Sequence, residues 1–192
     1  MERKDKTGKT KKIIIKRIVV GPIETNCYLV ADNRTRETVI IDPGGEPEKI
    51  FSAIKENGLK PRFILLTHEH PDHTGALEAV SEFLNIKLRK VKDGEEIKIG
   101  DSNIKIIATP GHSAESVCFI VSDPADGGAG NIFSGDTLFY RGIGRTDLEG
   151  GDFIQIQKSL KYLMKFPDNF KAWPGHGPKT TIGEERKLNP FL

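Results

Sequence analysis

Cysteine, tryptophan, methionine and long apolar runs are all scarce in this 192-residue chain. No apolar run approaches the roughly 20 residues of a membrane-spanning helix, so no membrane association of that kind is expected. Only two cysteines occur, Cys27 and Cys118, each inside an apolar, strand-like run. Both read as small buried hydrophobes. A disulfide framework is therefore not expected, and the cytoplasm is the expected compartment. Residues 1–12 lack the apolar core of a secretory signal. A large net charge is also missing: 29 Lys and Arg stand against 27 Asp and Glu, giving +2. Eight of those basic residues and only two acids fall in residues 1–17, so the basic character belongs to the tail. Such an arm can touch nucleic acid or an anionic membrane. A solvated, disordered arm over residues 1–12 is the favoured reading, and a nucleic-acid partner is not expected.

What is present is glycine and proline, 20 and 11 residues, which point to many tight turns rather than a helical bundle. The length suits one domain, placed at residues 13–192. β-Branched and apolar runs predict strands at 13–20, 27–31 and 38–41. Asp42-Pro43-Gly44-Gly45 marks a turn, and residues 46–57 then carry helical periodicity through Ile50, Phe51 and Ile54 up to Gly58. A short apolar run at 63–66 fits a buried strand. Residues 75–84 read as a helix. The second half repeats the grammar. A hairpin is expected at 95–108 around Gly100-Asp101. Strands follow at 117–121 and 131–133, separated by a glycine-rich loop at 126–130. A helix at 152–166 has Asp152 as N-cap, and a strand at 170–173 and a short helix at 183–187 close the chain. Two similar halves of strands and helices predict an α/β (α+β) protein, with two sheets face to face and helices outside.

All five histidines share one pattern. Thr67-His68-Glu69-His70-Pro71-Asp72-His73 packs three of them beside Asp72, directly after the strand at 63–66. His112 and His176 stand in matching Pro-Gly-His settings, and Asp136 in Ser134-Gly135-Asp136, each just after a strand. Loops at one end of a sheet are where a scaffold presents ligands. Neutral imidazoles and carboxylates suit zinc, iron or manganese. Five histidines and two aspartates exceed the needs of one tetrahedral ion, and suit two ions sharing a water.

These motifs resemble the metallo-β-lactamase superfamily, whose signature T-H-x-H-x-D-H matches residues 67–73. The resemblance spans about residues 13–177 and includes Asn26-Cys27-Tyr28-Leu29, Asp42-Pro43-Gly44, Thr109-Pro110-Gly111-His112, Gly135-Asp136-Thr137-Leu138-Phe139 and Gly175-His176-Gly177. It implies a four-layer αββα sandwich. It also implies two divalent metal ions, with zinc first among them. His68, His70 and His112 would hold one ion, Asp72, His73 and His176 the other, and Asp136 would bridge. Asp72 and Asp136 would be the catalytic carboxylates. β-Lactamases of the superfamily generally carry cysteine where Asp136 stands, and the diiron flavoproteins carry Glu where His70 stands, so the resemblance points away from both. Residues 135–139 and 144–147 resemble short glyoxalase II-like proteins. That implies a thioesterase, cleaving an S-2-hydroxyacylglutathione to a hydroxy acid and glutathione by attack of a metal-bridging hydroxide.

Two departures bear on the small-molecule thioester partner. The chain ends soon after His176, where full-length glyoxalase II continues into a helical domain with basic glutathione contacts. Arg145-Thr146-Asp147 stands where that family has a basic residue followed by two aromatics. Arg141, Arg145 and Lys179 are the candidate contacts for anionic substrate groups. The competing reading is a persulfide dioxygenase, which shares the fold, the histidine motif and a Gly-Arg-Thr-Asp segment. It would use one iron held by His68, His112 and Asp136. A metallo-nuclease would need an inserted RNA-binding arm, for which there is no room. A non-catalytic metal-binding module sits poorly with an intact ligand set.

Overall fold

The computed structural model describes residues 12–122 and 129–192. Residues 1–11 of the basic arm expected at 1–12, and most of the glycine-rich loop expected at 126–130, lie outside the described residues.

Two sheets form the centre. Strands β1 (Ile13–Val20), β2 (Thr25–Asp32), β3 (Glu37–Ile41) and β4 (Lys60–Leu65) make the first, in that order. The second runs β12-β11-β8-β7-β6-β5, built from β5 (Glu96–Ile99), β6 (Ser102–Ala108), β7 (Val117–Ser122), β8 (Gly130–Gly135), β11 (Lys171–Pro174) and β12 (Thr180–Thr181). A small hairpin, β9 (Leu138–Phe139) and β10 (Gly142–Ile143), stands apart. The helices are α1 (Pro47–Glu56), α2 (Pro71–Thr74), α3 (Leu77–Leu84), α4 (Phe153–Leu163) and α5 (Ile182–Leu188).

Strand periodicity explains the layering. On β2, Tyr28 and Val30 point into the space between the sheets, where they meet Ile104, Ile106, Phe119 and Phe133. The intervening Cys27, Leu29 and Ala31 point the other way, against Ile50, Ile54 and Val80 of α1 and α3. The second sheet repeats this, with Cys118, Ile120, Ile132 and Ala172 packed under Ile156, Leu160 and Ile182 of α4 and α5. Alternate side chains thus fill two different layers, which is why β2 is buried along its whole length. The result is the αββα sandwich. Cys27 and Cys118 lie in different outer layers as free, buried thiols.

The elements differ from sequence expectation in instructive places. Strand β4 begins at Lys60 and runs through Pro61, because β4 lies at the sheet edge where a missing N–H costs no ladder bond. The helix expected over 75–84 forms as α3 at 77–84, and an additional short helix, α2, precedes it where Pro71 opens a turn inside the histidine motif. Asp152 does cap α4, its carboxylate accepting from the Gln155 amide. The β9–β10 hairpin is too short to leave a periodic trace.

Two strand pairs are parallel, β3 with β4 and β8 with β11. Parallel neighbours end on the same side, and Ile41 pairs with Leu65 just as Gly135 pairs with Pro174. The carboxyl ends of such pairs are where α/β folds place their ligands.

Candidate metal centre

Each ligand candidate leaves one of these strand ends. His68, His70, Asp72 and His73 follow β4, with Asp72 and His73 in α2. His112 follows β6, Asp136 follows β8 and His176 follows β11. The fold brings all seven to one edge of the sandwich. Among the described residues, three groups have their donor atoms within 4.8 Å of one another: His68, His70 and His112; His68, His73 and Asp136; and Asp72, His73 and His176. Asp136 stands between them, 3.4 Å from His73 Nε2, 3.6 Å from His112 Nε2 and 3.7 Å from His176 Nε2.

Neighbouring groups fix which imidazole nitrogen faces inward. His73 Nδ1 lies 3.0 Å from a buried Asp42 carboxylate oxygen. His112 Nδ1 donates to the Arg145 carbonyl at 2.8 Å, and His176 Nδ1 to the Ile23 carbonyl at 3.1 Å. With Nδ1 occupied by an acceptor, Nε2 is left to the site. The Thr25 hydroxyl donates to Asp72 at 2.9 Å. The Thr67 amide and hydroxyl both donate to Asp42 at 2.7 Å.

The electrostatics divide the histidines. Burial, helped by the charge of His73, lowers His68 to about 3, so its imidazole is neutral and a ligand form. Burial also lowers His70, with the adjacent His112 imidazole. Burial disfavours a charged His73 too, but the Asp42 and Asp136 carboxylates outweigh it and raise His73 to about 10. His176 is raised, chiefly by its hydrogen bond to Asp72. Burial works against ionised Asp136 and Asp72. The His73 contact holds Asp136 below the usual carboxylate range, and the His176 hydrogen bond with the His73 charge holds Asp72 well below it.

A glycine before the ligand recurs for a steric reason. A Cβ on Gly175 would overlap the Asp136 carboxylate and crowd the His73 ring. Gly135 has φ +48°, and a Cβ there would run into Thr67. The three loops approach too closely to admit a side chain.

A metal fits these residues on an observation independent of motif. Buried polar atoms normally find partners. Yet His68 Nε2, His73 Nε2 and Asp136 Oδ1 are buried and make no hydrogen bond, and all three face one another. A cation at their centre would take the lone pairs of His68 Nε2 and Asp136 Oδ1 and displace the proton that the neighbouring carboxylates favour on His73. His68, His70 and His112 with Asp72, His73, His176 and the intervening Asp136 would hold one or two divalent ions.

The three candidate substrate cations have partners of their own. Arg141 reaches the wholly buried Glu185 at 3.2 Å and the Glu184 carbonyl at 2.9 Å. Arg145 forms a two-pronged pair with Asp147 at 2.7–2.8 Å. Lys179 lies over the Trp173 ring, 5.2 Å from its centroid. The residues missed by sequence reading are the supports. Asp42 reads in sequence as a turn former, although it follows a strand just as the ligands do. The Arg145 and Ile23 carbonyls carry no side-chain signal at all.

Fold and site together define a metal-dependent hydrolase class, with His and Asp clusters at the strand ends of an αββα sandwich. The profile of the Metallo-beta-lactamase superfamily matches residues 20–96 and 87–176, and the chain belongs to that superfamily. It is 38% identical to the probable metallo-hydrolase YqgX of Bacillus subtilis, over 92% of this chain and 96% of that one. It is 32% identical to the hydroxyacylglutathione hydrolase GloC of Haemophilus influenzae, over 91% and 96%. Among solved structures it resembles the B3 metallo-beta-lactamase BLEG-1, with TM-score 0.83, 34% identity and coverage of 93% and 99%. ETHE1 from Myxococcus xanthus matches with TM-score 0.83, 30% identity and coverage of 92% and 83%. TTHA1623 in a di-iron-bound form matches with TM-score 0.80, 33% identity and coverage of 92% and 100%.

Proposed function

We propose that this chain is a dinuclear metal-dependent thioesterase of the glyoxalase II type. It would cleave an S-2-hydroxyacylglutathione, or a related small thioester, to a hydroxy acid and a thiol. The observation that carries the reading is the convergence of unpartnered His68 Nε2, His73 Nε2 and Asp136 Oδ1 between two flanking ligand triads. Likeness to the Haemophilus hydroxyacylglutathione hydrolase supports the substrate class.

His68, His70 and His112 would hold one ion and Asp72, His73 and His176 the second, with Asp136 between. Zinc, iron and manganese all suit this donor set. When bound, such ions supply a nucleophilic water near neutral pH and polarise the scissile carbonyl. The protein's own part is positioning. Asp42, the Arg145 carbonyl and the Ile23 carbonyl hold the Nδ1 atoms of His73, His112 and His176, so each ring keeps its orientation. Asp72 and Asp136 stay ionised, and supply the negative charge that balances the cations. The two free, buried cysteines accord with a reducing cytoplasm.

A second reading, an iron persulfide dioxygenase using His68, His112 and Asp136, is favoured by Gly144-Arg145-Thr146-Asp147, whose Arg145 carbonyl orients His112. One experiment separates the readings. Metal content by elemental analysis is measured beside S-lactoylglutathione hydrolysis, oxygen uptake with glutathione persulfide, and hydrolysis of a chromogenic cephalosporin. Two metals with thioester cleavage are expected. One iron with oxygen uptake and no thioester cleavage would sink the thioesterase. His68→Ala is expected to lose at least one equivalent of metal, and activity with it.

A further inference from the structure

The segment Asn26-Cys27-Tyr28-Leu29 holds no ligand candidate. The fold nonetheless lays the start of β2 along the loop that carries His176. Thr25 and His176 form an isolated antiparallel bridge. The Asn26 amide donates to the Gly175 carbonyl at 2.7 Å. The Asn26 side chain is buried, and its Nδ2 donates to two carbonyls, Pro174 and Gly177, each at 2.9 Å. A carboxamide nitrogen has two protons to give, and both are used. One side chain therefore holds both ends of the turn 174–177, with His176 inside it. Tyr28 Oη donates to the same Pro174 carbonyl at 2.7 Å, and Arg17 of β1 to the same Gly177 carbonyl at 2.9 Å.

The same strand reaches a second member of that ligand group. Thr25 Oγ1 donates to Asp72 at 2.9 Å. Two of the three residues Asp72, His73 and His176 are thus held from β2, and Asp42 holds the third. The supports of His68 and His112 lie elsewhere. Thr67 Oγ1 stands 3.1 Å from His68 Nδ1, and the Arg145 carbonyl orients His112. The difference has a topological cause. His176 follows a strand of the second sheet, whereas Asp72 and His73 follow a strand of the first, so their meeting needs a tie between sheets. A neutral amide supplies that tie without bringing a positive charge toward a cation site.

We propose that Asn26 is the positioning residue of His176 and, with Thr25, sets the affinity of the Asp72–His73–His176 site separately from that of the His68–His70–His112 site. One buried amide then governs whether the chain holds one ion or two. The inference rests on the dinuclear reading above and assigns the second ion its own support. Groups that orient a metal ligand typically contribute about 10- to 100-fold in affinity.

The zinc-loaded chain and its Asn26→Ala and Thr25→Val variants are titrated with a competing chelator, while nitrogen NMR spectra of the histidine rings report which imidazoles are bound. Wild type is expected to hold two ions. Asn26→Ala should bind one of them about 10- to 100-fold more weakly, with His176 free and His68, His70 and His112 still bound. Thr25→Val keeps the shape but loses the hydroxyl, and should weaken the same ion by less. Leu163→Ala, a wholly buried change in the last residue of α4, should lower Tm and leave both affinities alone. Equal weakening of both ions by Asn26→Ala, or of neither, overturns the proposal. Should that variant fail to fold, Arg17→Ala removes one donor to the Gly177 carbonyl from an exposed position and is judged by the same two outcomes. If wild type holds a single ion, the dinuclear reading falls separately, and spectra of the metal-free chain decide the positioning role. His176 ring signals that move in the variant while those of His68 stay support it, and unmoved His176 signals overturn it.

Discussion

Asp42 is the residue on which the centre turns, although it is not among the ligand candidates. Its carboxylate accepts from the Thr67 amide, the Thr67 hydroxyl and His73 Nδ1, all within 3.0 Å. It therefore sets the start of the histidine motif and the orientation of one of its rings. Its own φ of +52° is uncommon for a side-chain-bearing residue, and the three contacts hold it there. Asp42→Asn would put an amide in place of an acceptor facing donors. Removing such a support typically costs 10- to 100-fold in metal affinity. Chelator competition on the purified variant should read about that loss, while the histidines themselves are untouched. An affinity equal to wild type would assign Asp42 to folding alone.

The loop after β2 shows how one buried carboxylate joins two elements. Asp32 accepts from the Thr35 amide and hydroxyl in its own loop, and from the Asp101 amide and Ser102 hydroxyl in the turn between β5 and β6. One sheet is thus fastened to the other at the edge where β5 and β6 turn. Burial disfavours the ionised form, but these donors outweigh it and lower the carboxyl below its usual value. The folded value lies below the unfolded one of about 3.9. The stabilisation is therefore complete above that pH and is lost as pH falls through the folded value. Asp32→Asn, which turns an amide toward those donors, should cost about 1–3 kcal/mol at neutral pH. In urea melts the gap between wild type and variant should close as pH drops below about 4. A gap independent of pH would mean that the carboxylate's charge plays no part.

At the scale of the whole molecule, the centre works as a cross-link. Its candidate ligands come from loops after β4, in one sheet, and after β6, β8 and β11, in the other. Backbone bonds cross at the same edge, from the Asn26 amide to the Gly175 carbonyl at 2.7 Å and from the Val117 amide to the Thr67 carbonyl at 2.9 Å. Anything that binds the folded chain there stabilises it by mass action, about 4 kcal/mol when free metal is 1,000 times its Kd. Stripping the metal with a chelator should therefore lower Tm by roughly 8–16 °C, at about 2–4 °C per kcal/mol for a chain of this size. Readdition of zinc should restore it. An unchanged Tm would place the ions on the surface rather than between the sheets.

Several features were legible without coordinates because they are local. Alternating apolar residues on β2, the Asp152 cap of α4 and the Gly100-Asp101 turn each depend on neighbours a few residues away. The histidine motif was visible for the same reason. His112, Asp136 and His176 could be listed with it because each repeats a glycine-then-ligand setting after a strand. Their convergence is another matter. It follows from the parallel pairing of β3 with β4 and β8 with β11, which carries strand ends dozens of residues apart to one edge. The same tertiary placement turned Arg141 toward Glu185, gave Asp42 its three donors, and brought the Ile23 carbonyl to His176 Nδ1. Sequence determined which chemical groups this chain has to offer. Which of them face the site, and which are engaged elsewhere, was decided by packing, because a side chain's partners are set by neighbours in space.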